Sequence, residues 1–133
     1  MQANQCIPVP ERVNACPVCD DLIPMDAIGK FCSFGSVFSG KTRIDSSSST
    51  NATSCAKVDV HQTILGSKPE KVVRASLPPH CSCPQVKDSN SEVFVFAPKV
   101  KRHLVLDSEV YIVKKTESIK SDVSDLLSRC NGQ

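Results

Sequence analysis

Four cysteines fall in two close pairs, and their sulfurs are the groups in this chain best suited to chemistry. Cys16 and Cys19 enclose two residues, and Cys81 and Cys83 enclose one. Sulfurs at such spacings can form disulfides, bind zinc as thiolates, or act as a redox pair. All three chemistries must be weighed before any function is assigned.

Zinc and redox chemistry each meet objections in the rest of the sequence. A four-thiolate zinc site needs two close pairs, and the spacing of Cys16 and Cys19 suits metal ligands. The second pair is tight for one metal, although His80 could replace a thiolate. Four further cysteines weigh against zinc. A redox pair normally lies where a strand meets a helix in a βαβ unit, whereas Cys16 follows a proline-containing, linker-like segment.

The disulfide interpretation accounts for more of the sequence. The chain has 133 residues and eight cysteines, an even and heavy load that is typical of secreted domains. The two close pairs are interpreted as neighbouring bridges that hold the N-terminal segment to the end of a central strand. The sequon Asn51-Ala52-Thr53 suits the same oxidising compartment and makes Asn51 the predicted glycosylation site. We therefore expect a secreted, extracellular protein.

Length and charge argue against a multidomain protein, a membrane-spanning protein and a nucleic-acid-binding protein. The length suits a single domain, and no apolar run is long enough to span a membrane. A net charge of +2 is too small to indicate nucleic acid as a partner. The chain begins with polar residues and no apolar signal core, which predicts a fragment of a secreted protein behind an added methionine.

Hydrophobic periodicity predicts the elements that must position the cysteines. Asp20 and Asp21 are expected to cap a short helix whose apolar positions run to Phe31, and Ser118 to cap a C-terminal helix that ends at Gly132. Between them, alternating or β-branched runs predict about five strands, and Gly40 inside the first predicts a bulge. The predicted strands cover residues 36–44, 56–65, 71–77, 92–97 and 104–113, the last as one long or two short strands. Residues 84–91 are predicted to form a loop.

The order of these cysteines and their neighbours resembles the netrin-like module of secreted Frizzled-related proteins, with a possible link to the sizzled branch. The likeness covers about residues 15–130. Gln5-Cys6-Ile7-Pro8 resembles the end of the Frizzled-type cysteine-rich domain that precedes the module. Residues 1–15 are therefore expected to be a linker and residues 16–133 the netrin-like domain. The residues that carry the likeness to the module are Cys16-Pro17, Cys19-Asp20, Ala27-Ile28, Cys32, Cys81, Cys83-Pro84, Leu104-Val105-Leu106 and Cys130.

The resemblance implies a mainly β fold, an OB-like five-stranded barrel with N- and C-terminal flanking helices, held by disulfides. It implies the bridges Cys16–Cys81, Cys19–Cys83 and Cys32–Cys130. Cys6 and Cys55 are left over and could pair with each other. The implied function is that of an extracellular binding module that modulates Wnt or BMP/tolloid signalling, without a cofactor. Its implied partners are a Wnt, a Frizzled or a tolloid-type protease.

Members of this family often bind heparan sulfate, and a cluster of cations is the physical candidate for that activity. The alternative for these residues is a solvated hairpin that keeps an edge strand from pairing. The candidate glycosaminoglycan-binding residues are Lys99, Lys101, Arg102, His103, Lys114 and Lys115.

Two other functions were weighed. A metalloprotease inhibitor in the style of the tissue inhibitors needs a free N-terminal cysteine to chelate the catalytic zinc, whereas Cys16 follows fifteen residues. Sequencing the mature N-terminus would test that alternative. An enzyme is not expected, because the three histidines are scattered along the chain and neither a glycine-rich phosphate loop nor a nucleophile elbow occurs.

Overall fold

The computed structural model describes residues 15–44, 54–78, 80–87 and 90–131. Seven strands form one sheet in the order β1-β7-β5-β2-β3-β4-β6. The mainly β prediction is confirmed, with helices towards both ends of the described chain. The strands are β1 (Val18–Asp20), β2 (Ser36–Ile44), β3 (Ser54–Gly66), β4 (Val72–Leu77), β5 (Glu92–Ala97), β6 (His103–Val105) and β7 (Tyr111–Lys114).

The centre of the sheet is antiparallel and its two edges are parallel. Strands β7, β5, β2, β3 and β4 pair antiparallel in succession. The three-residue strands β1 and β6 add in parallel, β1 to β7 and β6 to β4. Relative to the five expected strands, β1 is additional, and residues 104–113 take the form of two short strands. The bulge predicted at Gly40 is confirmed by a register shift between Ser39 and Gly40.

The short connection between β6 and β7 requires the sheet to curl. These strands lie five positions apart in the sheet order, which would separate them by about 24 Å in a flat sheet. Six peptide steps join Val105 to Tyr111, and they span about 21 Å at most. A turn shortens this path, because the Val110 N–H donates to the Asp107 carbonyl at 3.1 Å. The sheet therefore forms a curled half-barrel.

Two apolar clusters lie on opposite faces of the curled sheet. On β5, Val93, Val95 and Ala97 point into the inner cluster, whereas Phe94 and Phe96 point into the outer one. Because both faces of β5 are covered, its sequence is a continuous apolar run. Helix α3 (Glu117–Asn131) covers the outer face with Ile119, Val123 and Leu126.

Helix α1 is shorter than the sequence predicts and has a different start. It spans Met25–Gly29, and Pro24 precedes it without a side-chain cap. The cap predicted at Asp20 and Asp21 is wrong because Asp20 ends β1. A residue that precedes proline is also disfavoured in a helix, which keeps Ile23 out of it. A 3-10 turn, Phe31–Ser33, follows α1.

A hydrogen bond fastens α1 to the sheet. The Tyr111 hydroxyl donates to Asp26 Oδ2 at 2.6 Å. This bond lowers the pKa of the Asp26 carboxyl below its ordinary value. The lowered pKa favours the carboxylate form of Asp26, which accepts the hydrogen bond from the Tyr111 hydroxyl.

A one-turn helix occupies part of the segment that was predicted to be a loop. Helix α2 spans Pro84–Lys87. Pro84 stands at its first position, where the missing N–H costs nothing. Val86 is buried in the inner cluster, so this turn closes one end of the half-barrel.

The cap of α3 is Thr116 rather than the predicted Ser118. The Ile119 N–H donates to Thr116 Oγ1 at 3.2 Å, whereas Ser118 lies inside the helix and is exposed. Replacing Thr116 with Ala should lower the free energy of unfolding by about 1 kcal/mol, because a helix N–H loses its partner. Ser118→Ala should change it by less than about 0.5 kcal/mol. Urea unfolding of both variants tests the assignment, and equal losses would contradict it.

Candidate binding surface

Two disulfides join the open edges of the curled sheet. Cys16 is bridged to Cys81 and Cys19 to Cys83, with Cα–Cα distances of 5.4 and 5.5 Å. Cys19 lies on β1 at one edge of the sheet, and Cys81 and Cys83 follow β4 near the other. We call this junction the seam. The bridges hold together edges that are not paired by backbone hydrogen bonds among the described residues.

Hydrogen bonds reinforce the seam on the side of α2. Gln85 Nε2 donates to the Asp20 carbonyl at 2.8 Å. The Thr42 hydroxyl, which is buried, donates to the Gln85 carbonyl at 2.9 Å. Strands β1 and β2 are thus linked through one glutamine. The seam is a rigid part of the framework.

The third disulfide connects Cys32, in the 3-10 turn, to Cys130 near the end of α3. The three bridges are the pairs implied by the family resemblance. Cys55 is also disulfide-bonded. Two residues singled out in the sequence, Cys6 and the predicted glycosylation site Asn51, lie outside the described residues.

The arrangement of the sulfurs bears directly on the zinc and redox alternatives. Within the described ranges, the group of side chains close enough to hold a metal is Cys16, His80 and Cys81. Two of these sulfurs are joined to each other, and a disulfide sulfur is not the thiolate that zinc binds. Cys16 and Cys19 are each bridged to distant partners, so they do not form the internal pair of a redox motif.

A row of cations crosses the outer face of the sheet. Arg43 on β2 is paired in register with Lys57 on β3, Lys57 with Arg74 on β4, and Arg74 with His103 on β6. Residues directly opposite one another share a face of the sheet. Their chain neighbours Val58, Val73 and Ala75 point into the inner cluster, which places the row outside. We call these four residues the cation row, which spans about 14 Å over three strand spacings.

One carboxylate partly offsets the charge of the row. Arg43 donates to both oxygens of Asp59, at 2.6 and 2.9 Å. This interaction lowers the pKa of the Asp59 carboxyl, so the pair stays charged at neutral pH. The opposite end of the row, towards β6, is where further cations gather.

Three of the six residues predicted from the sequence lie at that end, and a fourth, Lys99, lies earlier in the connection between β5 and β6. Lys101 and Arg102 lead directly into β6, and their carbonyls accept hydrogen bonds from the Glu70 and Arg74 N–H groups. His103 belongs to the row itself. Lys99 is exposed, and its backbone packs closely against Gly35. Arg102 also forms an exposed ion pair with Glu70 at 3.4 Å.

The other two predicted residues lie elsewhere. Lys114 and Lys115 stand beside Glu92 and Val93 at the start of β5, whereas Lys99 follows the end of that strand. The length of β5 separates the two groups by about 17 Å. Lys115 also lies over the Phe94 ring, 5.7 Å from its centre, on the side covered by α3. The structure therefore divides the predicted cluster into two.

The sequence contains only part of the signal for the cation row. Alternation along β3 and β4 predicts that Lys57 and Arg74 point away from the core. The alignment of these residues with Arg43 and His103 depends on the register of three strand pairings, which the sequence does not specify.

A scan against protein-family models finds no match to this chain, and a search of curated proteins also finds none. In the described part of the chain, each helix is too short or too polar to cross a membrane. The resemblance to the netrin-like module therefore depends on the order of the cysteines and on the residues beside them.

Proposed function

We propose that this protein is a secreted binding module of the netrin-like kind found in secreted Frizzled-related proteins. On this proposal it is an OB-like module that modulates Wnt or BMP/tolloid signalling and binds heparan sulfate. The order of the cysteines supports the family, and the three disulfides support an oxidising compartment. Because the seam disulfides serve to hold the fold together, we assign partner binding to the outer face of the sheet.

The observation that carries this proposal is the cation row. Sulfated polysaccharides present regularly spaced anions, and they are attracted by local cation density more than by net charge. The row places Arg43, Lys57 and Arg74 on three neighbouring strands and His103 on a fourth, and Lys101 and Arg102 extend it at the β6 edge. The chain as a whole carries only +2, so the local arrangement must supply the attraction.

Charge reversal tests whether the row binds the polyanion. The double variant Lys57→Glu and Arg74→Glu should bind a heparin fragment about tenfold more weakly, because each exposed contact contributes up to about 1 kcal/mol. Lys99→Glu, Lys101→Glu and Arg102→Glu together should also weaken binding. Elution from a heparin column and calorimetric titration measure the effect.

A matched control separates the row from net charge. Lys115→Glu with Lys120→Glu makes the same change in total charge near α3, away from the row. We expect that control to elute close to the unaltered protein. Equal shifts for both double variants would contradict a localised site, and no shift for the row variant would refute heparin binding there.

The protein partner is tested separately. Immobilised oxidised module should be presented with a Wnt, a Frizzled cysteine-rich domain and a tolloid-type protease, each with and without heparin fragment. Saturable binding of at least one partner supports the signalling role. A module that retains none of them would limit the function to the polysaccharide.

A further inference from the structure

A groove between α1 and α3 exposes apolar side chains that the framework does not use. Leu22 lines the groove and is 65% exposed, and Met25, one turn before Ile28 on α1, is 82% exposed. These are the two highest values among large apolar side chains in the described ranges. The sequence predicts both as apolar positions of the first helix, and neither is buried. Exposed apolar side chains beside a concave surface are typical of a binding site.

The groove consists of two adjoining hollows of about 310 and 240 Å³. Ile28, Leu126 and Arg129 line both, so the hollows are continuous. Leu22 and Ile23 form the wall at one end, on the side of α1. This apolar floor and its length suit a short extended or helical segment of another polypeptide.

The charges around the groove select the type of segment. Asp122 and Asp125 line the same hollow as Leu22, and they lie one turn apart on α3. Neither has an ion-pair partner among the described residues. Arg129 lines both hollows, whereas Lys30 lines only the other one. The hollow at Leu22 therefore has apolar walls and two carboxylates against one cation.

We propose that the α1–α3 groove binds a segment of a partner protein in which a basic residue precedes apolar residues. The apolar side chains would cover Leu22, Met25 and Ile28, and the basic one would lie against Asp122 and Asp125. This site is separate from the cation row, which attracts anions on another part of the sheet. Failure of one proposal therefore leaves the other standing.

The test titrates the isotopically labelled, oxidised protein with two capped peptides, followed by amide chemical shifts. One has the sequence lysine–leucine–isoleucine–leucine, and in the other glutamate replaces lysine. We expect the basic peptide to shift the amides of Leu22, Ile28 and Leu126 and to bind at least about fivefold more tightly than the acidic one.

Substitutions at exposed positions identify the contacts without disturbing the core. Asp122→Asn with Asp125→Asn should weaken the basic peptide about fivefold at low salt, and Leu22→Ser with Met25→Ser should weaken it about tenfold or more. Glu117→Gln and Ile44→Ser are the matched controls, since Glu117 is an exposed acid on the same helix and Ile44 is 42% exposed on β2. Both controls should bind normally.

Three outcomes would overturn the proposal. The first is equal binding of the two peptides, and the second is an equal loss in the control variants. The third is self-association of the unaltered protein that Leu22→Ser with Met25→Ser abolishes, measured by sedimentation. That result would assign the groove to a second copy of this chain.

Discussion

Replacing all four seam cysteines with Ala should lower the free energy of unfolding by about 6 kcal/mol, whereas replacing either bridged pair alone should lower it by only about 2 kcal/mol. The two bridges close loops of 65 and 64 residues. In the chain-entropy model, the first bridge to close a loop of this length contributes about 4 kcal/mol.

The second seam bridge contributes less because the first has already brought its cysteines together. Cys16 and Cys19 are three residues apart, and Cys81 and Cys83 are two apart. With one bridge in place, the other closes a ring of about five residues, worth about 2 kcal/mol. Each bridge thus substitutes for about half of the other's effect.

Urea unfolding of four Ala variants under non-reducing conditions measures this coupling. Three lack one seam pair, the other seam pair, or both. The fourth variant removes Cys32–Cys130, which lies apart from the two seam bridges and spans 98 residues. Its loss should be about 5 kcal/mol. If the two seam pairs each cost about 4 kcal/mol and their effects add, the bridges are independent and the seam interpretation is wrong. A loss of about 6 kcal/mol is comparable to the whole stability of a small domain.

Phe96→Ala should lower the free energy of unfolding by about 3–5 kcal/mol, the largest effect that we expect of a single substitution. Phe96 is fully buried on β5, and its ring lies 5.6 Å from the rings of both Phe31 and Phe34. Truncation of the ring leaves a cavity between the 3-10 turn and β5. The Cys32–Cys130 bridge ties this turn to α3, which limits how far the turn can move to fill the cavity.

A matched series separates the cavity from the loss of ring contacts. Phe96→Leu keeps most of the volume and should cost less than about 2 kcal/mol. Phe34→Ala removes a ring that is only half-buried and should cost less than Phe96→Ala. Chemical denaturation ranks the three variants. If Phe34→Ala proves the most destabilising, the outer cluster is not organised around Phe96.

Elements with strong local signals were predicted well from the sequence. β2 and β5 have the predicted bounds, because residues 36–44 alternate and residues 92–97 are continuously apolar. The predicted faces of β2 were only partly informative. Alternation along β2 predicts that Ser39 and Phe38 lie on opposite faces, one polar and one apolar, yet both are buried. Because both faces of the sheet are covered, β2 lacks the difference between a buried and an exposed face that alternation normally indicates.

Elements fixed by distant parts of the chain could not be predicted. Val18 pairs with Tyr111 and Cys19 with Ile112, so β1 exists because a strand about 90 residues later accepts it. Local residues instead predicted a helix cap at Asp20. The cation row depends in the same way on register between strands, whereas Lys101 and Arg102 were found because they are neighbours in sequence.

Strand β1 has a consequence for the order of events during synthesis. Its partner β7 leaves the ribosome about 90 residues after it, which corresponds to roughly 5–20 s of translation. Throughout that interval Cys16 and Cys19 lack the strand that orders them, and each can oxidise with the wrong sulfur. We therefore expect the native pairs to form after β7 has emerged, by exchange of any bonds that Cys16 and Cys19 formed earlier.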